Sequence, residues 1–210
     1  MSPAFSFRRK ATISTSLLAA GLCLLLTGCV VKVNKHENDG KKHDNVSIAT
    51  PFGGVHVQSN QTTASDLGLP VYPGAEETTG NGKDVSANVN LGFGPWQLRV
   101  KVVKYTTSDP RDKVVAFYRK ALGQFGTVIA CDGNSPVGKP TVTDQGLTCK
   151  GGGKHVHIDG NDGDSEFNLR VGSPHHQRIV AFKDTGDKNT RVSIVELTLP
   201  KSADKHTTPD

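Results

Sequence analysis

No acidic side chain precedes Glu37, and no apolar run in the 210 residues approaches the roughly 20 that a membrane-spanning helix requires. The first absence leaves a basic and apolar leader, and the second excludes a helical span. Cysteine is scarce, with four in the chain, and no two are spaced as Cys-x-x-Cys, which argues against a redox-active pair. Gly-x-Ser-x-Gly and His-Glu-x-x-His are both missing, so neither a nucleophile elbow nor a zincin helix is available. Gly151-Gly152-Gly153-Lys154 falls short of a phosphate loop. Thr148 stands where the first glycine belongs and His155 where the Ser/Thr belongs. The run Asp159–Asp164 fails as an EF-hand loop because Asp164 occupies the sixth place, which requires glycine. Beyond the leader the basic residues form no stripe and have no interleaved aromatics, so nucleic acid is not an expected partner.

What is present begins with Arg8-Arg9-Lys10, followed by the ten-residue apolar run Leu17–Leu26 and small residues at Thr27 and Gly28. A charged segment, a short apolar segment and a small-residue cut site make a signal peptide over residues 1–28. Leu26-Thr27-Gly28-Cys29 resembles the lipobox of bacterial lipoproteins. The resemblance implies cleavage before Cys29, a diacylglyceryl group on its thiol, and acyl chains such as palmitate, usually on the new amino group as well. Each buried CH₂ of such a chain contributes ~0.8 kcal/mol, and two or more chains anchor stably where one does not. An ordinary signal peptide that happens to end in Cys is the alternative. Val30, rather than Asp, follows the anchor. The family's sorting rule then implies the outer membrane if the cell has one, and the outer face of a single membrane otherwise. The expected partners are the membrane, through the N-terminal lipid, and an envelope protein.

Removing the leader leaves 182 residues, enough for one domain with its own core. The leader holds three of the 25 basic residues and no acidic one, so the formal +5 falls to +2. With Cys23 discarded and Cys29 acylated, Cys131 and Cys149 remain. In an exported protein an even leftover pair reads as a disulfide. A metal pair or two free thiols are the alternatives.

Residues 29–45 are polar and mixed in charge and read as a lipid-anchored flexible tether, about 20–24 Å end to end. His36 and His43 within it suit weak metal scavenging or plain solvation. Residues 46–66 comprise a short hairpin, alternating Val46, Ile48, Val55 and Val57 about Pro51-Phe52-Gly53-Gly54, and a polar linker. From residue 67 to 200 the pattern is that of an α+β domain. Pro73-Gly74 predicts a type II turn. Val85–Leu91 and Trp96–Val102 alternate on either side of Gly92–Pro95, which predicts an antiparallel hairpin with one wet face. Asp109 as N-cap, Pro110 as first helical residue and Gly123 as C-terminal cap bound a helix. Its apolar stripe is Val114, Phe117, Tyr118, Ala121 and Leu122. Further strands are predicted at 127–131, 146–150, 154–158, 166–171, 177–183 and 191–199, the last central because it is apolar on both faces. Residues 201–210 read as a disordered tail.

The Leu69–Ala75 turn, LPVYPGA, and the VVxFYxxxL helix beginning at Val114 resemble segments of uncharacterised exported bacterial proteins. The resemblance implies an α+β domain and brings no activity. The expected fold is therefore an antiparallel sheet with one amphipathic helix on a face, preceded by a short hairpin. His155 and His157 share one strand face near Asp159, Asp162, Asp164, Glu166 and His175-His176, a weak metal candidate and more simply a solvated face. No catalytic residue and no cofactor is expected. The functional expectation is a lipid-anchored envelope protein whose domain is a binding or structural module at the membrane surface. The alternatives are a small-ligand or metal-binding lipoprotein and, behind it, a hydrolase whose site assembles in space.

Overall fold

The computed structural model describes residues 29–38, 41–78, 86–150, 167–185 and 189–200. The strands are β1 (Val30–Asn38), β2 (Lys41–Thr50), β3 (Gly53–Ser59), β4 (Glu76–Glu77), β5 (Ser86–Phe93), β6 (Trp96–Thr107), β7 (Ile129–Asp132), β8 (Ser135–Pro136), β9 (Phe167–Ser173), β10 (His176–Asp184) and β11 (Thr190–Thr198). Among the described residues the one α-helix is α1 (Arg111–Leu122), and two short 3₁₀ turns cover Ala64–Leu67 and Gly123–Phe125. All the strands join one sheet, ordered β1-β2-β3-β5-β6-β11-β10-β9-β7-β8, with β4 beside β6. Every pairing is antiparallel. The architecture is α+β, mostly antiparallel sheet. Among the described residues no helix is long and apolar enough to cross a membrane.

Alternation sorts the side chains onto two faces. Helix α1 covers the front face of β9, β10 and β11. Val114, Tyr118 and Leu122 of the helix lie fully buried against Leu169, Val171, Val180, Phe182, Val192, Ile194 and Val103. Phe117 and Ala121 pack at the margin of this cluster, half-buried. β11 lies between β6 and β10 and is buried on both faces, with Ile194 in front and Val195 and Leu197 behind.

The strap from Thr62 to Ala75 closes the rest of the front layer. The chain's three tyrosines hold it. The Ala64 amide donates to the Tyr105 hydroxyl, the Tyr72 amide donates to the Tyr118 hydroxyl, and the Tyr72 hydroxyl donates to Asp109 at 2.6 Å. Within the strap the Thr63 amide and hydroxyl both donate to Asp66 at 2.8 Å and hold its carboxyl below the usual range. Gly74 adopts φ +75° in the turn that returns the Ala75 amide to the Tyr72 carbonyl.

Several expectations change. The segment expected as a tether pairs as β1 and the first part of β2. The reason is β-branched side chains at alternate positions: Val31 lies opposite Ile48 and Val33 opposite Val46, so β1 extends the back face of the sheet. Asp109 does not cap α1. It accepts the Tyr72 hydroxyl instead, and Pro110 takes the cap position with extended backbone. Gly123 stays right-handed and continues into a 3₁₀ turn, and it is Gly126, at φ +125°, that ends the run. Residues 146–150 form a loop joined to Val142 by a single bridge at Thr148, not a strand. The β5–β6 hairpin turns on Gly94-Pro95 alone, because Phe93 still pairs with Trp96. The predicted strand at 154–158 and the tail 201–210 lie outside the described residues.

Candidate functional site

Cys29 stands exposed with a free thiol, one residue before β1 begins. Cys131 and Cys149 form a disulfide with a Cα separation of 5.7 Å. It joins β7 to the 137–150 loop rather than two neighbouring strands, and both residues are buried beside Ile129. Arg170 braces this loop. Its guanidinium donates to the Cys149 carbonyl at 3.1 Å, to the Gly133 carbonyl at 3.3 Å and to Asn168 at 2.7 Å. Burial lowers the Arg170 pKa from its ordinary value. The loop is also held from Thr127, whose amide and hydroxyl donate to Asp144 and keep that carboxyl below its usual range.

His155, His157 and the acidic run after them lie outside the described residues, as does the glycine run before them. Among the described residues no three His, Cys, Asp or Glu side chains converge to hold a metal ion. Tyr118, placed in the helix's apolar stripe, is a fully buried core residue, and burial raises its pKa far above the usual phenol range.

The best-built charged constellation was not visible in the sequence. Arg178, Glu196 and Lys101 are direct cross-strand neighbours on β10, β11 and β6. Glu196 receives Arg178 at 3.2 Å, Lys101 at 3.3 Å and His176 at 3.1 Å. Burial pushes the Glu196 carboxyl up, but the hydrogen bonds from His176 and Lys101 and the charges of Lys101 and Arg178 outweigh it, and its pKa is lowered. A carboxylate committed to two cations and an imidazole N–H is a weak base. The same cations reach outward: Lys101 donates to the Asp66 carbonyl at 3.0 Å and Arg178 to the Leu67 carbonyl at 3.1 Å. The Arg178 guanidinium also lies 4.1 Å from the Phe125 ring centroid. The cluster therefore clamps the strap to the sheet. Only the β10–β11–β6 register brings its members together, and no local motif announces that.

Next to the clamp, the front face of β3, β5 and β6 is polar. Asn88 donates to Gln58 at 3.3 Å, Asn90 to Asn88 at 3.0 Å, and Arg99 to Asn90 at 2.7 Å. These groups satisfy one another rather than converging on an open point. An open depression of about 600 Å³ lies at the start of α1, lined by Ser108, Arg111, Asp184 and Thr190 among others. Among the described residues its one cation is already paired, with Arg111 3.3 Å from Asp184, and Asp112 also lines it. No protein-family model, no curated protein and no solved structure matches this chain.

Proposed function

We propose that this chain is a lipid-anchored envelope protein, acylated at Cys29, whose α+β domain is a binding or structural module at the membrane surface. The observation that carries the reading is Leu26-Thr27-Gly28-Cys29 placed directly after a basic cluster and a ten-residue apolar run. Two further facts support it. Cys29 is exposed with a free thiol, so a transferase has access to it. Cys131 and Cys149 are oxidised to a disulfide, which suits an exported protein. In this reading residues 1–28 are removed, and the N-terminal hairpin around Val46–Val57 lies between the anchor and the helix-covered part of the domain. The membrane is the outer one where the cell has two.

The test is Cys29→Ser in the producing cell. The variant is expected in the soluble fraction or as an uncut precursor, while the parent protein is found in membranes with acyl groups on its N-terminal peptide by mass spectrometry. Equal membrane retention and normal processing of the variant would overturn the reading. A density gradient then assigns the membrane.

A further inference from the structure

Cys29 has no slack. Val30 is already paired in β1, opposite Ala49, so whatever is attached to Cys29 sits at one end of the sheet. The registers continue that level across four more strands. Ala49 is opposite Gly54, Gly54 opposite Gly92, and Gly92 opposite Gln97. One residue further out, in line with Cys29, lie Thr50, Gly53, Phe93 and Trp96. At ~4.8 Å between strands, Cys29 and Trp96 are about 19 Å apart along this rim.

The rim is apolar where a water-facing end would be charged. Phe52, in the β2–β3 turn, is 84 % exposed, and Phe93, at the end of β5, is 48 % exposed. Val30 and Val31 beside Cys29 are 52 % and 61 % exposed. Trp96 packs against Phe93 with ring centroids 6.0 Å apart. No Asp, Glu, Lys or Arg occurs between Asn45 and Ser65, or between Val85 and Leu98, although 21 % of the chain is charged. Exposed strands and turns ordinarily carry charge to stay solvated and unpaired. Trp96, Gln97 and Leu98 of the β5–β6 hairpin lie past the last pair of β6 with β11, Arg99 with Thr198.

We infer that this end of the sheet is a lipid-binding rim. Phe52, Phe93 and Trp96 seat in the headgroup and upper acyl region of the same membrane that holds the acyl chains of Cys29. The inference rests on acylation at Cys29 and adds to it an orientation: the sheet stands on the bilayer by its hairpin tips, with the clamp and α1 set back along β10 and β11. Tryptophan at such a depth keeps its ring among apolar groups and its indole N–H in the wet interface. The rim is a partner for a lipid surface rather than a groove for a peptide, because its apolar groups sit on turn tips and enclose nothing.

Trp96 is the chain's single tryptophan, so its emission reports this rim without labelling. The mature protein, purified from membranes, is placed in vesicles of phosphatidylethanolamine and phosphatidylglycerol, with and without acyl chains brominated near the headgroup. Emission at shorter wavelength and quenching by the brominated lipids, with protection from acrylamide, are expected. In the same acylated protein, Phe52→Asp or Phe93→Asp should each lower the quenching of Trp96 by the brominated lipids and raise its exposure to acrylamide. Val142→Asp, at an exposed valine in the 137–150 loop, should leave both unchanged. Acylated Cys29 with Trp96 open to acrylamide and untouched by brominated lipid would overturn the rim and leave the anchor standing. Protection from acrylamide without lipid quenching would mean that a protein or a second copy covers the rim, and would also overturn it. An unmodified Cys29 in protein taken from membranes would overturn the anchor and the rim together.

Discussion

The two halves of the sheet use the same alternating strands and come to different ends. From the Lys101–Thr107 part of β6 through β11, β10 and β9 the front face is covered by α1 and the strap, and β10 and β11 are buried and apolar on both sides, as at Ile194 and Val195. From β1 through β5 the front face carries Asn88, Asn90, Gln58 and their hydrogen bonds, while Val57, Val89 and Leu91 line the back, half-buried. A face of an antiparallel sheet that nothing covers meets water, and polar side chains are the stable choice there. The covered half thus holds most of the buried apolar side chains, Tyr118, Phe182 and Ile194 among them.

Truncations sharpen this contrast. Tyr118→Ala is expected to cost ~3–5 kcal/mol, since it empties a buried ring site and frees the Tyr72 amide. Val57→Ala in the uncovered half should cost only about 1 kcal/mol, for two half-buried methyl groups. Urea unfolding of the two variants reads the difference directly, and equal losses would break the comparison. Replacing Cys131 and Cys149 together by Ser should cost about 3 kcal/mol, because the bond closes a loop of 18 residues' separation in the unfolded chain. Thermal unfolding with and without reductant checks it. Phe117→Ala should cost about 2 kcal/mol, less than a fully buried ring, because Phe117 packs edge-on to Tyr72 and Tyr118 at the margin of the core.

The smallest effect expected is one of pH, and it touches the covered half alone. The Glu196 pKa is lowered in the folded state from an ordinary 4.5. Folding therefore gains from the ionised form above that ordinary value, and the gain is lost as pH falls through the lower folded value. Stability measured between neutral and acid pH should drop in the native chain and drop less in Glu196→Gln. Identical acid profiles would show that the clamp does not stabilise the strap.

The covered half was largely legible in the sequence. The helix stripe, the tight turn at Pro73-Gly74 and the central strand of β11 all follow from local periodicity and turn chemistry. Asp109 was misread as a cap because capping propensity is local, whereas its partner Tyr72 arrives from 37 residues away. Polar composition hid β1, since three valines among lysines and asparagines look like a linker until Ile48 and Val46 are set opposite them. The clamp was illegible for the same reason. Arg178, Glu196 and Lys101 carry no mutual spacing, and only strand register makes them neighbours.

The placement of the three tyrosines gives the molecule a built-in optical division. Tyr72, Tyr105 and Tyr118 all lie in the strap layer of the covered half, and Trp96 lies alone at the opposite rim. Near-ultraviolet tyrosine bands and tryptophan emission therefore follow different parts of one chain. If the sheet melts as a single cooperative unit, the two signals trace the same transition. If the uncovered strands open first, tryptophan changes while the tyrosine bands hold, and the gap between the curves measures the free energy that separates local opening from global unfolding.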